Sequence, residues 1–175
     1  MGMEGVRAQA VSGKGKSVDG PGASFASDVV HEWTRGEYAI STDKRRLQID
    51  VIHGYLASSY WAAKIPREVV DRSIENSLCF GLYRGERQIG FTRVVTDFAT
   101  FAWVGDVFVL EEERGKGLSK WLMECMCATD ELAGLRRWIL ATRDAHGLYE
   151  QYGFTSLAKP ERYLERLDPD VYERS

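Results

Sequence analysis

The chain has 175 residues, 44% of them hydrophobic and 28% charged, with a formal net charge of −3 at pH 7. That length and balance fit one globular domain able to bury about two-thirds of its unfolded surface. The mildly acidic charge argues against general nucleic-acid binding, and no apolar run reaches the length of a membrane span. The N-terminus lacks the basic-then-apolar order of a secretion signal. Cys79, Cys125 and Cys127 have no metal-ligand spacing, so they read as small buried hydrophobes of a reducing, cytoplasmic protein without a metal site.

Residues 1–32 are rich in Gly, Ser and Ala without periodicity and read as a flexible tail. Within it, SGKGKS is no phosphate loop: the first glycine of that motif falls on Ala10, and no apolar strand precedes it. The domain is expected over 33–175. EYAIST predicts a first strand, and DKRRLQIDVIHGYLASS (43–59) sets Leu47, Val51, Ile52, Tyr55 and Leu56 at helical spacing. YWAAKIP reads as a bend, after which Pro66 opens a second helix. LCFGLYR and RQIGFTRVVTD form a hairpin about the turn residues GE. TFAWVGDVFVL is apolar enough for a strand buried on both faces.

GLSKWLMECMCATDEL is then a helix, RRWILAT (136–142) a buried strand, and DAHGLYEQY a helix with an acidic cap at Asp144. GFTSLA and RYLERL are expected to complete the sheet. A helix joining two neighbouring strands implies local parallel pairing. The fold class is α+β, a mixed central sheet flanked by helices.

EEERGKGLSK (111–120) lies where a buried strand gives way to a helix. The first amide N–H groups of a helix have no internal partner, and the dipole there is positive. Gly115 and Gly117 remove side chains that would block an anion, while Arg114, Lys116 and Lys120 add charge. Together they make a cradle for a phosphate or diphosphate. The third glycine of a dinucleotide fingerprint would fall on Lys120, so that motif is excluded. Glu111, Glu112 and Glu113 read as a solvated turn. Asp106, a carboxylate inside an apolar strand, needs a reason to be there.

VFVLEEERGKGLSKWLM resembles the acetyl-CoA-binding segment of the GNAT superfamily of N-acetyltransferases: Arg114 and Gly117 match the first two fixed places of Arg/Gln-x-x-Gly-x-Gly/Ala, with the small Ser119 at the third. LYEQYGF (148–154) is similar to the family's closing segment, and the order of elements agrees from about 36 to 167.

The resemblance implies a V-shaped splay between two parallel central strands, 103–110 and 136–142, that receives acetyl-CoA. The diphosphate is then expected on the amides of Arg114, Gly115, Lys116, Gly117, Leu118 and Ser119. The pantetheine arm is expected along Val107, Phe108 and Val109, with a free N–H near Phe108 polarising the acetyl carbonyl and Asp144 close to the cofactor. Tyr149 takes the family's general-acid place, with Tyr152 as rival, and Asp106 is a candidate base. His53, Tyr60, Trp61 and Trp103 are expected around the acceptor, and His146 near the cofactor thiol.

The implied function is direct acetyl transfer to a primary amine of a small molecule or peptide, with no covalent enzyme intermediate. A non-catalytic acyl-CoA-binding module and a nucleotide-phosphate binder remain alternatives. The acceptor's identity and the oligomeric state, a homodimer included, are not legible in the residues.

Overall fold

The computed structural model describes residues 9–10 and 29–174. Strands β1 (Gln9–Ala10), β2 (His31–Arg35), β3 (Tyr38–Ser41), β4 (Leu78–Arg84), β5 (Arg87–Thr96), β6 (Phe101–Val109) and β7 (Arg137–Ile139) lie side by side in chain order. Neighbours are antiparallel through β6, and β7 runs parallel to β6. Gly36 and Gly85 head the two tight hairpins, and the GE turn falls where expected, between Arg84 and Arg87.

Helices α1 (Ile49–Ser58) and α2 (Arg67–Glu75) cover one face, with Ile52, Leu56, Val70 and Ile74 packed against Cys79, Phe91 and Phe108. Helix α3 (Leu118–Cys127) and the single turn α4 (His146–Tyr149) cover the other. There Trp121, Leu122, Met126 and Tyr149 meet Phe80, Leu82, Val94 and Val104. This is the expected mixed sheet between helical layers.

Several boundaries differ from the sequence reading. Asp43 accepts from the Arg45 N–H and caps a separate short turn, so α1 starts at Ile49 rather than near 43. β2 starts at His31, and β1 pairs with it, so β1 and the first two residues of β2 fall inside the segment read as a tail. SGKGKS lies outside the described residues.

β7 ends at Ile139 because β6 diverges from it there, and it is half-buried because it forms the sheet's edge among the described residues. GFTSLA and RYLERL form no strand. Gly153 turns the chain through a left-handed conformation, Pro160 lacks an N–H for a ladder, and Leu164 stands 99% exposed.

The fold's decisive feature lies between β6 and β7. They pair only at Phe101↔Arg137, Ala102↔Trp138 and Trp103↔Ile139. β6 continues six residues further with no strand partner on that side among the described residues. The two strands therefore open into a V, as the family resemblance implied.

Candidate active site

β6 carries a bulge where the V opens. Its pairing with β5 jumps from Arg93↔Gly105 to Phe91↔Phe108, so two residues, Asp106 and Val107, oppose Thr92 alone. Asp106 takes up the irregularity in the left-handed region, at φ 56°. The bulge also switches which face successive side chains meet: Val104 packs against the α3 layer, whereas Phe108 packs under α1.

The Asp106 carboxylate is thereby brought against Arg93, with Oδ2 2.5 Å from Nε, and Oδ1 accepts from Trp61 Nε1 at 3.1 Å. Only 10% of the side chain is exposed. The buried acid thus has its reason: it joins β5, β6 and the α1–α2 connection.

A cleft of about 990 Å³ lies in the splay. It gathers Tyr60, Trp61, Trp103, Asp106, Val107, Arg114, Asp144 and Tyr149 from the predicted set. Tyr149 reaches it from the α3 side of the sheet, while Trp61 closes it from the α1 side. The Tyr149 hydroxyl makes no hydrogen bond among the described residues, and burial pushes its pKa up to about 12. It is therefore a donor at every working pH. Tyr152 is separated from it: its hydroxyl donates to the Lys120 carbonyl at 2.7 Å, and it lines a different cavity.

The other wall is aromatic. Tyr55 stacks on Phe108 at 3.9 Å, and Tyr60 meets Trp61 edge-on at 5.0 Å. Tyr60 also reaches across the mouth of the cleft, accepting from the Arg143 N–H at 3.3 Å and lying 3.9 Å beneath its guanidinium.

Below the V, residues 114–117 are exposed and Gly115 and Gly117 have φ of 78° and 74°. A Cβ at either would strain the backbone, and beyond its chain neighbours no atom of the described residues lies within 4 Å of where it would stand. Gly117 caps α3 with no side-chain hydrogen bond, so the first amides of that helix face open space.

Some expectations are corrected here. His53 bonds the Ile65 carbonyl at 3.0 Å and braces the bend instead of lining the cleft. Glu113 is buried, not solvated; it holds Lys116 at 2.5 Å and Arg84 at 3.3 Å, which takes Lys116's charge out of the cradle. The Lys116 ammonium in turn keeps the Glu113 carboxyl below its usual range. Arg114 folds back, donating to the Val109 carbonyl and the Tyr55 hydroxyl.

Asp144 caps no helix: Thr142 accepts from the Ala145 N–H, and Asp144 pairs with Arg143. The Phe108 side chain is buried, and the Leu110 N–H bonds Ile89, so by strand alternation the Phe108 N–H also faces β5. The backbone of Val107 and Val109 faces the opening. Leu118 is buried as a core residue, Ser119 is half-buried, and His146 lines a smaller neighbouring cavity.

Cys79 and Cys125 are buried, but Cys127 is exposed. Among the described residues no cluster of three or more His, Cys, Asp or Glu side chains gathers. The sequence reading missed Arg93 and Arg143. A lone arginine inside an apolar strand was a signal for Arg93; nothing in the loop after β7 marked Arg143.

A parallel pair splayed above an open, glycine-lined helix start defines an N-acetyltransferase architecture. The comparisons agree. Residues 75–156 match the family model described as acetyltransferase (GNAT) domain. A Gibberella zeae protein described as a candidate acetyltransferase is 34% identical over 140 residues, covering 67% of this chain and 78% of its own. A GNAT-family structure from Xanthomonas campestris pv. campestris is 50% identical, with a TM-score of 0.75 over 77% of this chain and 96% of that one. Glucosamine-6-phosphate N-acetyltransferase from Arabidopsis thaliana is 18% identical, with a TM-score of 0.53 over 75% and 99%, a likeness of fold alone. This chain belongs to the GNAT acetyltransferase family.

Proposed function

We propose that this protein transfers an acetyl group from acetyl-CoA directly to a primary amine of a small molecule or peptide. The observation that carries this reading is the open V standing over unpartnered helix amides. The residues fit the cofactor: the cradle at 114–119 has open space where side chains would stand, and the free edge at Val107 and Val109 can take an extended arm as an added strand. Gly115, Gly117, Leu118 and Ser119 would hold the diphosphate through backbone N–H groups, and Arg114 would leave the Val109 carbonyl and the Tyr55 hydroxyl to join them, freeing that carbonyl for the arm. When bound, acetyl-CoA supplies the activated acetyl group and the thiolate leaving group.

The chain's own part is to position and to donate. A backbone N–H at Val107 or Val109 stands ready for the acetyl oxygen. Tyr149 offers its O–H to the departing sulfur. A thiol titrates at about 8.5, well below the Tyr149 hydroxyl, so Tyr149 is better suited to hydrogen-bonding the developing charge than to surrendering its proton outright. Asp106, held in place by Arg93 and Trp61, attracts the acceptor's ammonium group. The unpaired cysteines support a cytoplasmic setting, and no helix among the described residues is long and apolar enough to cross a membrane.

Thiol release from acetyl-CoA, measured against a panel of polyamines, amino acids, aminoglycosides and peptides, tests the proposal. Amine-dependent release is expected. Acetyl-CoA binding without release for any amine would point to a binding module, and tighter binding of ATP than of acetyl-CoA to a nucleotide-phosphate binder.

A further inference from the structure

The cleft's charges are unequal. Three arginines, Arg93, Arg114 and Arg143, face two aspartates, Asp106 and Asp144. Arg93 is committed to Asp106 in a largely buried pair. Among the described residues Arg114 meets a carbonyl and a hydroxyl and no carboxylate, at the end of β6 next to the phosphate cradle. Arg143 remains, at the opposite rim. Its one ion pair, Nη2 to Asp144 at 3.2 Å, joins side chains that are both more than half exposed, which makes it a weak, screened contact. Its Nε and Nη1 have no acceptor among the described residues.

Arg143 is nevertheless held in place. Its backbone N–H donates to the Tyr60 hydroxyl, and its guanidinium lies 3.9 Å over the Tyr60 ring. A flat fork fixed by stacking, with donors still unengaged, is the arrangement that grips an oxyanion at small entropic cost. Across the cleft, Asp106 has two of its roughly four acceptor sites taken. The exposed rings of Trp61 and Trp103 beside it suit an ammonium group. One rim therefore suits a cation and the other an anion.

We infer that the acceptor is an amine that also carries a carboxylate or phosphate, its ammonium end directed to Asp106 and its anionic end held by Arg143. This inference rests on the acetyltransferase reading and narrows it from amines in general to anionic amines. It also gives Tyr60 a role, that of the platform holding Arg143 in register.

The test is acetyl transfer to matched pairs, followed by thiol release and product mass. The pairs are β-alanine against β-alaninamide, and phosphoethanolamine against ethanolamine, with the wild type, Arg143→Gln and Arg143→Lys. Acetyl-CoA affinity is measured in parallel by calorimetry. The anionic member is expected to be favoured by about tenfold or more in kcat/KM, as one charged hydrogen-bonding contact allows, and the pair with the larger ratio identifies the anion. Arg143→Gln should erase that preference while acetyl-CoA affinity stays within about twofold, and Arg143→Lys should restore part of it.

Equal rates within each pair, or a preference that survives Arg143→Gln, would overturn the inference. So would a loss of acetyl-CoA affinity in Arg143→Gln, which would assign Arg143 to the cofactor. No transfer to any amine, with acetyl-CoA binding intact, would overturn the transferase reading as well.

Discussion

Gly117→Trp is expected to weaken acetyl-CoA binding by about a hundredfold or more, while Gly117→Ala weakens it by less than about tenfold. Both replacements force a side chain onto a residue at φ 74°, a strain of about 1–2 kcal/mol that they share. Only the indole also fills the space above the first amides of α3, where no protein atom lies within 4 Å. Losing two charge-assisted hydrogen bonds of about 1.5–3 kcal/mol each corresponds to the hundredfold figure. Calorimetric titration with acetyl-CoA and a thermal melt of each variant separate the two effects. The melting temperatures should fall together and the affinities should not. Equal affinities for the two variants would show that the cradle plays no part in binding.

Tyr149→Phe should lower kcat by about 10²–10³, the range for a lost hydrogen-bond donor to developing charge, and leave acetyl-CoA affinity within about twofold. The structure separates the two tyrosines that spacing left as rivals. Tyr149 opens its hydroxyl into the cleft, whereas Tyr152 donates to the Lys120 carbonyl. Tyr152→Phe should therefore leave kcat nearly unchanged. Because burial moves Tyr149 up to about 12, its hydroxyl keeps its proton throughout the neutral and mildly alkaline range. Any loss of wild-type kcat below about pH 10 must then come from another group, and that part of the pH profile should survive in the variant's residual activity. A Tyr149→Phe enzyme with wild-type kcat would remove Tyr149 from the chemistry.

The sequence disclosed whatever is periodic or rule-bound. β4 and its GE turn are legible because alternation and turn chemistry are local. The glycines at 115 and 117 are legible because only glycine adopts such backbone easily. What local rules cannot see is pairing at a distance. Glu113 reads as one of three solvated acids, yet it is buried because Arg84 and Lys116, from separate elements, converge on it. RYLERL alternates like a strand, but β7 offers three residues of edge and Pro160 stands in the approach.

His53 reads as part of the acceptor wall, but its ring turns to the Ile65 carbonyl and stays out of the cleft. The bulge at Asp106 leaves no mark in composition, because the residue that takes up the slack is not a glycine. That bulge turns an isolated acid into the joint linking Arg93 and Trp61.

The most direct measurement is a crystal structure with coenzyme A bound. The diphosphate is expected within hydrogen-bonding distance of the backbone N–H groups between Gly115 and Ser119. The pantetheine arm is expected to run between β6 and β7 along the edge at Val107 and Val109, with its sulfur beside the Tyr149 hydroxyl. Coenzyme A lodged elsewhere, or the two strands closed on each other with the cradle empty, would contradict this placement.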